Sequence, residues 1–168
     1  VEGGAGVVPR VLVVYDSKTG NTERMALAVA EGARRVEGVE VTVKRVGEAS
    51  VDDLVGADGI IVGSPTYYGQ MSARVKDLFD RSVEVHGRLR GKVGAAFTSS
   101  GGTASGAETT LLSIIQAMLI HGMIIQGRSR HKHYGAAAVG APDAEELTTC
   151  RELGERTARL ILRLSASA

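Results

Sequence analysis

The chain of 168 residues is long enough for one compact domain with a core and short for two. Hydrophobic residues make up 43% and charged residues 23%, which excludes disorder for the bulk of the chain. With Lys plus Arg at 20 and Asp plus Glu at 19, the net charge of +1 is too small to draw the chain to nucleic acid or to an anionic membrane.

A single cysteine, Cys150, cannot form an intrachain disulfide, nor by itself hold an iron–sulfur cluster or a zinc ion. No metal site is expected, and a reducing, cytoplasmic setting fits. Residues 111–125 are the most apolar stretch, but Ser113, Gln116, His121 and Gly122 interrupt it and it is too short for a bilayer span. Residues 1–9 are Gly-rich, lack a basic start, and read as a flexible lead-in to a single domain over residues 10–168.

Along the chain the hydrophobic period switches repeatedly. Residues 10–15 (RVLVVY) are a continuous apolar run, as in a strand buried on both faces. Helical spacing follows over 21–36, carried by Met25, Val29, Ala33 and Val36. Residues 39–46 alternate, with Val39, Val41 and Val43 inward, and predict a strand with one exposed face. A short helix is expected over 50–55 and a buried strand over 57–63. A helix over 72–83 turns Val75, Leu78, Phe79 and Ser82 to one side, and a fourth strand spans 92–98.

The next helix, 107–121, places Leu111, Leu112, Ile115, Met118 and Leu119 inward and stops at Gly122. A fifth strand starts at 122–126 and resumes at 135–139. Asp143 and Glu146 have capping-box spacing before a last helix, whose inward side reads Leu147, Cys150, Leu153, Thr157, Leu160, Ile161 and Leu164. Five strands alternating with helices predict an α/β fold, a parallel sheet covered on both faces. In such a fold ligands bind outside the carboxyl ends of the strands.

Three loops fall at that edge. Ser17-Lys18-Thr19-Gly20-Asn21-Thr22 gathers hydroxyls, an amide and a glycine before a helix N-terminus, a set suited to one terminal phosphate. It lacks both the Walker spacing and G-x-G-x-x-G. Pro65-Thr66-Tyr67-Tyr68-Gly69 follows the third strand and carries two of the four tyrosines. Ser99-Ser100-Gly101-Gly102-Thr103 follows the fourth and offers backbone N–H groups. Each loop has an ordinary reading as well: a helix cap, a lid on the core, a flexible connector. Taken together, with Tyr15 and Tyr134 expected near the same edge, they suit a ligand with one phosphate, a polar chain and a flat ring. FMN has that shape.

The run S-K-T-G-N-T at 17–22 resembles the phosphate loop of flavodoxins. G-S-P-T-Y-Y-G-Q-M at 63–71, F-T-S-S-G-G at 97–102, H-G-M at 121–123 and Y-G-A at 134–136 resemble the WrbA-type NAD(P)H:quinone oxidoreductases. The resemblance covers residues 10–164. It implies a flavodoxin-like three-layer sandwich, a five-stranded parallel sheet of order 2-1-3-4-5 with helices on both faces. It also implies one FMN per chain, two-electron transfer from NAD(P)H to quinones, and a homo-oligomer, dimer or tetramer, with flavin sites near subunit interfaces. Residues 17–22 carry over as phosphate contacts. Thr66, Tyr67 and Tyr68 carry over as flavin contacts, and residues 99–103 as contacts to the ring edge and ribityl chain.

The chain departs from that family in three ways. Ile120 stands where relatives have a second histidine before H-G-M, the tryptophan ahead of the fourth strand is missing, and the insertions after strands two and five are shorter. His86 lies in the tryptophan's segment. His86, His121, His133 and Tyr134 are candidate substrate contacts, and the basic run with Arg128 and Arg130 is a candidate site for the donor's phosphates, or else a solvated loop. No catalytic side chain is singled out, because the flavin carries the chemistry. The alternatives are a one-electron carrier of flavodoxin type, for which the near-neutral charge is unusual, and a flavin-free binding module on the same fold.

Overall fold

The computed structural model describes residues 7–166. Most of the expected lead-in, residues 1–6, lies outside them. The Pro9 carbonyl accepts a bond from Glu40 N at 2.9 Å, so the chain is engaged before its first strand begins.

In chain order the elements are β1 (Arg10–Tyr15), α1 (Asn21–Arg34), β2 (Glu40–Arg45), α2 (Val51–Gly56), β3 (Gly59–Pro65), α3 (Ala73–Arg81), β4 (Val93–Ser100), α4 (Ala107–Ile120), β5 (Ile124–Ile125), β6 (Ala136–Val139) and α5 (Ala144–Ser165). All strand pairs are parallel, in the order β2-β1-β3-β4-β5, with β6 also on β4. The fold is therefore flavodoxin-like, as expected. β5 pairs with Val93 and Gly94 at the start of β4, and β6 pairs with residues 97–100 at its end. The expected fifth strand is thus one edge position filled by two segments, with residues 126–135 looping out between them.

The apolar run of β1 serves two cores. Pleating sends Val11, Val13 and Tyr15 to the face covered by α1 and α5, and Leu12 and Val14 to the face covered by α2, α3 and α4. Cys150 of α5 is wholly buried in the first core, and burial pushes its thiol pKa up to about 12. Capping boxes close the N-termini of α2 (Ser50, Asp53) and α5 (Asp143, Glu146). Two inward assignments need correction and one core residue is added. Leu119 is 56% exposed and Leu164 39% exposed, each in the last turn of its helix, and Ile114 takes the core place on α4.

Helices α1 and α5 touch through glycine. A Cβ at Gly154 would lie 1.9 Å from the Val29 carbonyl, and one at Gly32 would lie 1.9 Å from the Arg151 carbonyl. Both obstacles are backbone, so only helix displacement could relieve the clash. Gly154→Ala is expected to destabilise the fold by roughly 3 kcal/mol, the upper range for overpacking. Thermal denaturation checks this, and an unchanged midpoint would contradict the packing described.

Candidate functional site

Both strands run two residues beyond expectation: Ser64 faces Thr98 and Pro65 faces Ser99. Pro65, Ser99 and Ser100 therefore end strands rather than begin loops, and proline is tolerated at a strand's last residue because little of the ladder follows it. A Cβ at Gly63 would lie 2.1 Å from the Phe97 ring, which fixes glycine there.

The first loop is built around Ser17. Its Oγ accepts bonds from Gly20 N (3.1 Å) and Glu23 N (3.3 Å), so Ser17 caps α1 from outside the helix. Gly20 is left-handed, with φ 94°. The N–H groups of Asn21 and Thr22 sit in the first turn, ahead of any intrahelical acceptor. Behind the loop, Arg45 at the end of β2 donates to the Ser17 carbonyl (3.2 Å) and to the Glu23 carboxylate. Its guanidinium lies 5.4 Å from the Tyr15 ring centroid. Tyr15 donates to the same carboxylate at 3.1 Å, and burial first, that bond second, raise its pKa. Tyr15 thus braces the loop from behind.

Hydroxyl pairs join the loops. Thr22 Oγ1 and Ser99 Oγ are 2.8 Å apart and buried, linking the first loop to the end of β4. Thr98 Oγ1 donates to the Ser64 carbonyl (2.7 Å), so it accepts from Thr66 Oγ1 at 2.9 Å. Thr66 N donates to the Ser99 carbonyl. The threonines read as ligand contacts are therefore partly engaged with their neighbours.

The tyrosine pair forms a tight turn. Tyr67 and Gln70 exchange two backbone bonds (3.1 and 3.0 Å), with Tyr68 at φ 52° and Gly69 at φ 72° between them. Positive φ at both central positions is the primed hairpin geometry that favours Asn-Gly, and an aromatic residue is strained there. The Tyr68 side chain is fully exposed. Gly69 seats this turn on the start of α4: a Cβ at Gly106 would lie 2.6 Å from Gly69 Cα.

Between these parts lies a cleft of about 260 Å³. It is lined by Lys18, Thr19, Asn21 and Thr22, by Pro65, Thr66 and Tyr67, and by Ser99, Ser100 and Gly101. Gly140, after β6, completes it and donates its N–H to the Ser100 carbonyl. No acidic side chain lines it. Gly102 and Thr103 continue the loop beyond Gly101, outside the lining. A second cleft, of about 390 Å³, adjoins across Lys18 and Tyr67 and is lined also by Asp16, Ser17, Ser72, Ala73 and Arg74. Gly140 and Arg74 were missing from the sequence reading. The placement of Gly140 follows from β6 running parallel to β4, a signal the sequence pattern carries.

The remaining candidates lie elsewhere. α4 runs back to the amino edge of the sheet, so His121 at its C-cap sits opposite the cleft, with His86 beside it (ring centroids 5.6 Å apart). Ser82 Oγ donates to the Phe79 carbonyl at 2.6 Å and so accepts from His121 Nε2 at 2.7 Å. That assigns the His121 proton to Nε2 and leaves Nδ1 buried without a partner. Arg128 is held by Glu152 on α5 (2.5 Å) and by the His131 carbonyl (3.0 Å), and His133 Nδ1 donates to the Arg128 carbonyl (2.8 Å). Arg130, His133 and Tyr134 belong to the loop between β5 and β6, beside the sheet. Tyr134 precedes Ala136, which pairs with Phe97 in mid-strand, so Tyr134 is not at the carboxyl edge.

Burial lowers the His121 pKa, and the neighbouring His86 lowers it further. Between that depressed value and the ordinary value near 6.5, the unfolded chain binds the extra proton. This contribution is complete above about pH 6.5 and is lost as pH falls through the folded value. Relative to the native chain, His121→Gln is expected to lose less stability between pH 7.5 and pH 5, as measured by urea denaturation. Parallel losses would contradict the buried neutral imidazole.

Three loops converging over the carboxyl edge of a 2-1-3-4-5 sheet, with an acid-free cleft at a helix N-terminus, define a flavodoxin-like mononucleotide-binding protein. The profile of the NADPH-dependent FMN reductase family matches residues 47–134. A flavodoxin of Aquifex aeolicus is 42% identical over 160 residues, covering 90% of this chain and 86% of its own. An NAD(P)H dehydrogenase (quinone) of Archaeoglobus fulgidus is 38% identical over 189 positions, covering 92% and 98%. That alignment is longer than this chain, which accords with its shorter insertions. The solved flavodoxin, WrbA-like protein of Agrobacterium tumefaciens superposes with a TM-score of 0.78 at 29% identity, covering 92% and 98%. The chain belongs to the NADPH-dependent FMN reductase family and is a WrbA-type flavodoxin-like protein.

Proposed function

We propose that the protein is an FMN-dependent oxidoreductase that passes two electrons from NAD(P)H to quinone-type acceptors. The observation that carries this reading is the cleft itself: hydroxyls, first-turn N–H groups and Lys18, with no carboxylate in its lining. That donor set fits a phosphate dianion, and hydrogen bonds to a charged acceptor contribute roughly 1.5–3 kcal/mol each. Residues 17–22 hold the phosphate, Thr66 and Ser99 meet the ribityl hydroxyls, and Tyr67 and Tyr68 border the ring. Bound FMN supplies hydride chemistry between nicotinamide and quinone. The protein's share is to orient the ring, shield one side of it and leave the other open to two small molecules.

The family match and the quinone-dehydrogenase relative support an enzyme. The Aquifex relative is named a flavodoxin, which keeps the electron-carrier reading in view. A net charge of +1 favours the enzyme, because carriers that dock on basic redox partners are generally strongly acidic. A homo-oligomer is part of the proposal. Val83 (71% exposed), Leu119 (56%), Ile120 (75%) and Ile124 (40%) are exposed apolar residues on the segments around His121, and a second copy would cover them. A cytoplasmic location fits the single buried cysteine. Among the described residues no helix is long and apolar enough to cross a membrane.

The test is an absorbance spectrum of the protein with added FMN, followed by NADH oxidation with benzoquinone. Flavin bands shifted by binding, with acceptor-dependent NADH consumption, are expected. Absence of FMN binding would leave a flavin-free module, and binding without turnover would leave a carrier.

A further inference from the structure

We infer that the second cleft, between the first loop and the start of α3, receives the phosphate groups of the nicotinamide donor, with Arg74 as their principal contact. The inference rests on the functional reading above and adds to it a subsite for the donor.

The two clefts share Lys18 and Tyr67, so they form one trough with those side chains as a low divider. A donor that brings its nicotinamide to a ring bordered by Tyr67 must lay the rest of its length along the surface. The trough offers that path. Beyond Arg74 it opens into a third cleft of about 420 Å³, which reaches Val46, Gly47 and Arg81.

Arg74 is the base of α3 with no ion-pair partner on its own helix. Lys76 pairs with Asp80 (2.6 Å) and Arg81 with Asp77 (2.9 Å), each one helical turn away. Four residues after Arg74 stands Leu78. The ion pair of Arg74 is with Asp16, at 4.0 Å, and its side chain is 78% exposed. Such a pair adds little stability. A cation in a helix's first turn also opposes the helix dipole. Stability therefore gives no reason for an arginine here, whereas a planar fork of donors facing Lys18 across a cleft suits a phosphate. Asp16 is the one carboxylate in the cleft's lining and is nearly buried, and the two cations there, Lys18 and Arg74, outnumber it. The loop carrying Arg128 and Arg130 is less suited, because Arg128 is tied to Glu152 and the loop lies beside the sheet, not at the cleft.

The experiment compares the FMN-loaded protein with its Arg74→Glu and Arg74→Lys variants, using NADH, NADPH and the phosphate-free donor N-benzyl-dihydronicotinamide. For Arg74→Glu the KM for NADH or NADPH is expected to rise about ten-fold or more, with kcat, FMN affinity and the KM for the benzyl donor unchanged. Arg74→Lys should recover most of the loss. A rise with both dinucleotides places the pyrophosphate at Arg74, and a rise with NADPH alone places the 2′-phosphate there. Unchanged KM for both dinucleotides, or an equal rise with the benzyl donor, overturns the inference while the functional reading stands. Failure of the unaltered, FMN-loaded protein to oxidise any of these donors overturns both.

Discussion

Exchanging Ser17 for aspartate is expected to leave the fold standing and to weaken FMN binding about a hundred-fold or more. Ser17 Oγ works as an acceptor inside the structure, for Gly20 N and Glu23 N. A carboxylate performs that task as well as a hydroxyl, since both are favoured at helix N-termini. Toward a ligand the two differ. The serine keeps a proton that it can donate, whereas the aspartate would set a negative charge beside a phosphate dianion. Two unit charges about 4 Å apart repel by roughly 4 kcal/mol near a protein surface, and a hundred-fold loss corresponds to about 2.8 kcal/mol. Flavin fluorescence titration measures the affinity and thermal denaturation measures the fold. Ser17→Ala supplies the contrast, with the cap removed and stability down by about 1 kcal/mol. Native-like FMN affinity in the aspartate variant would remove the phosphate from this loop.

Tyr68→Asn is expected to stabilise the protein while impairing it. Asparagine followed by Gly69 is the favoured pair for a turn with positive φ at both central residues. The strained aromatic residue costs roughly 1–3 kcal/mol, of which asparagine should recover about 1. That corresponds to a rise of roughly 2–4 °C in Tm for a chain of this size. The ring it removes is fully exposed, one residue beyond the Tyr67 that lines the cleft. Losing one favourable ring contact, worth roughly 0.5–1.5 kcal/mol beyond burial, should weaken FMN by up to about ten-fold. A variant that is both more stable and equally tight for FMN would show that Tyr68 has no part in the site.

The covering of the sheet on both faces and the capping box of α5 were legible because each has a local pattern: residues 11–15 of β1 are apolar, and Asp143 stands three residues before Glu146, whereas the sheet order came from the family resemblance. The loops were legible for the same reason, as clusters of hydroxyl and glycine placed between periods. Register was not, since the Thr22–Ser99 and Thr66–Thr98 bonds depend on which residues of neighbouring strands lie side by side. Nor was the left-handed turn at Tyr68, because nothing in Tyr-Gly announces positive φ. The capture of Arg128 by Glu152 joins residues 24 apart, across a loop whose path is set by the split edge strand. Leu119 and Leu164 kept helical spacing and still face solvent, because period alone does not say how exposed a helix's last turn is.

Quinones are electrophiles, and many inactivate the proteins that meet them by adding to a thiolate. Cys150 is wholly buried between α5 and the sheet, and at about 12 its pKa leaves almost no thiolate at neutral pH. On the proposed function, the chain's single thiol is thereby kept from alkylation by its own acceptors.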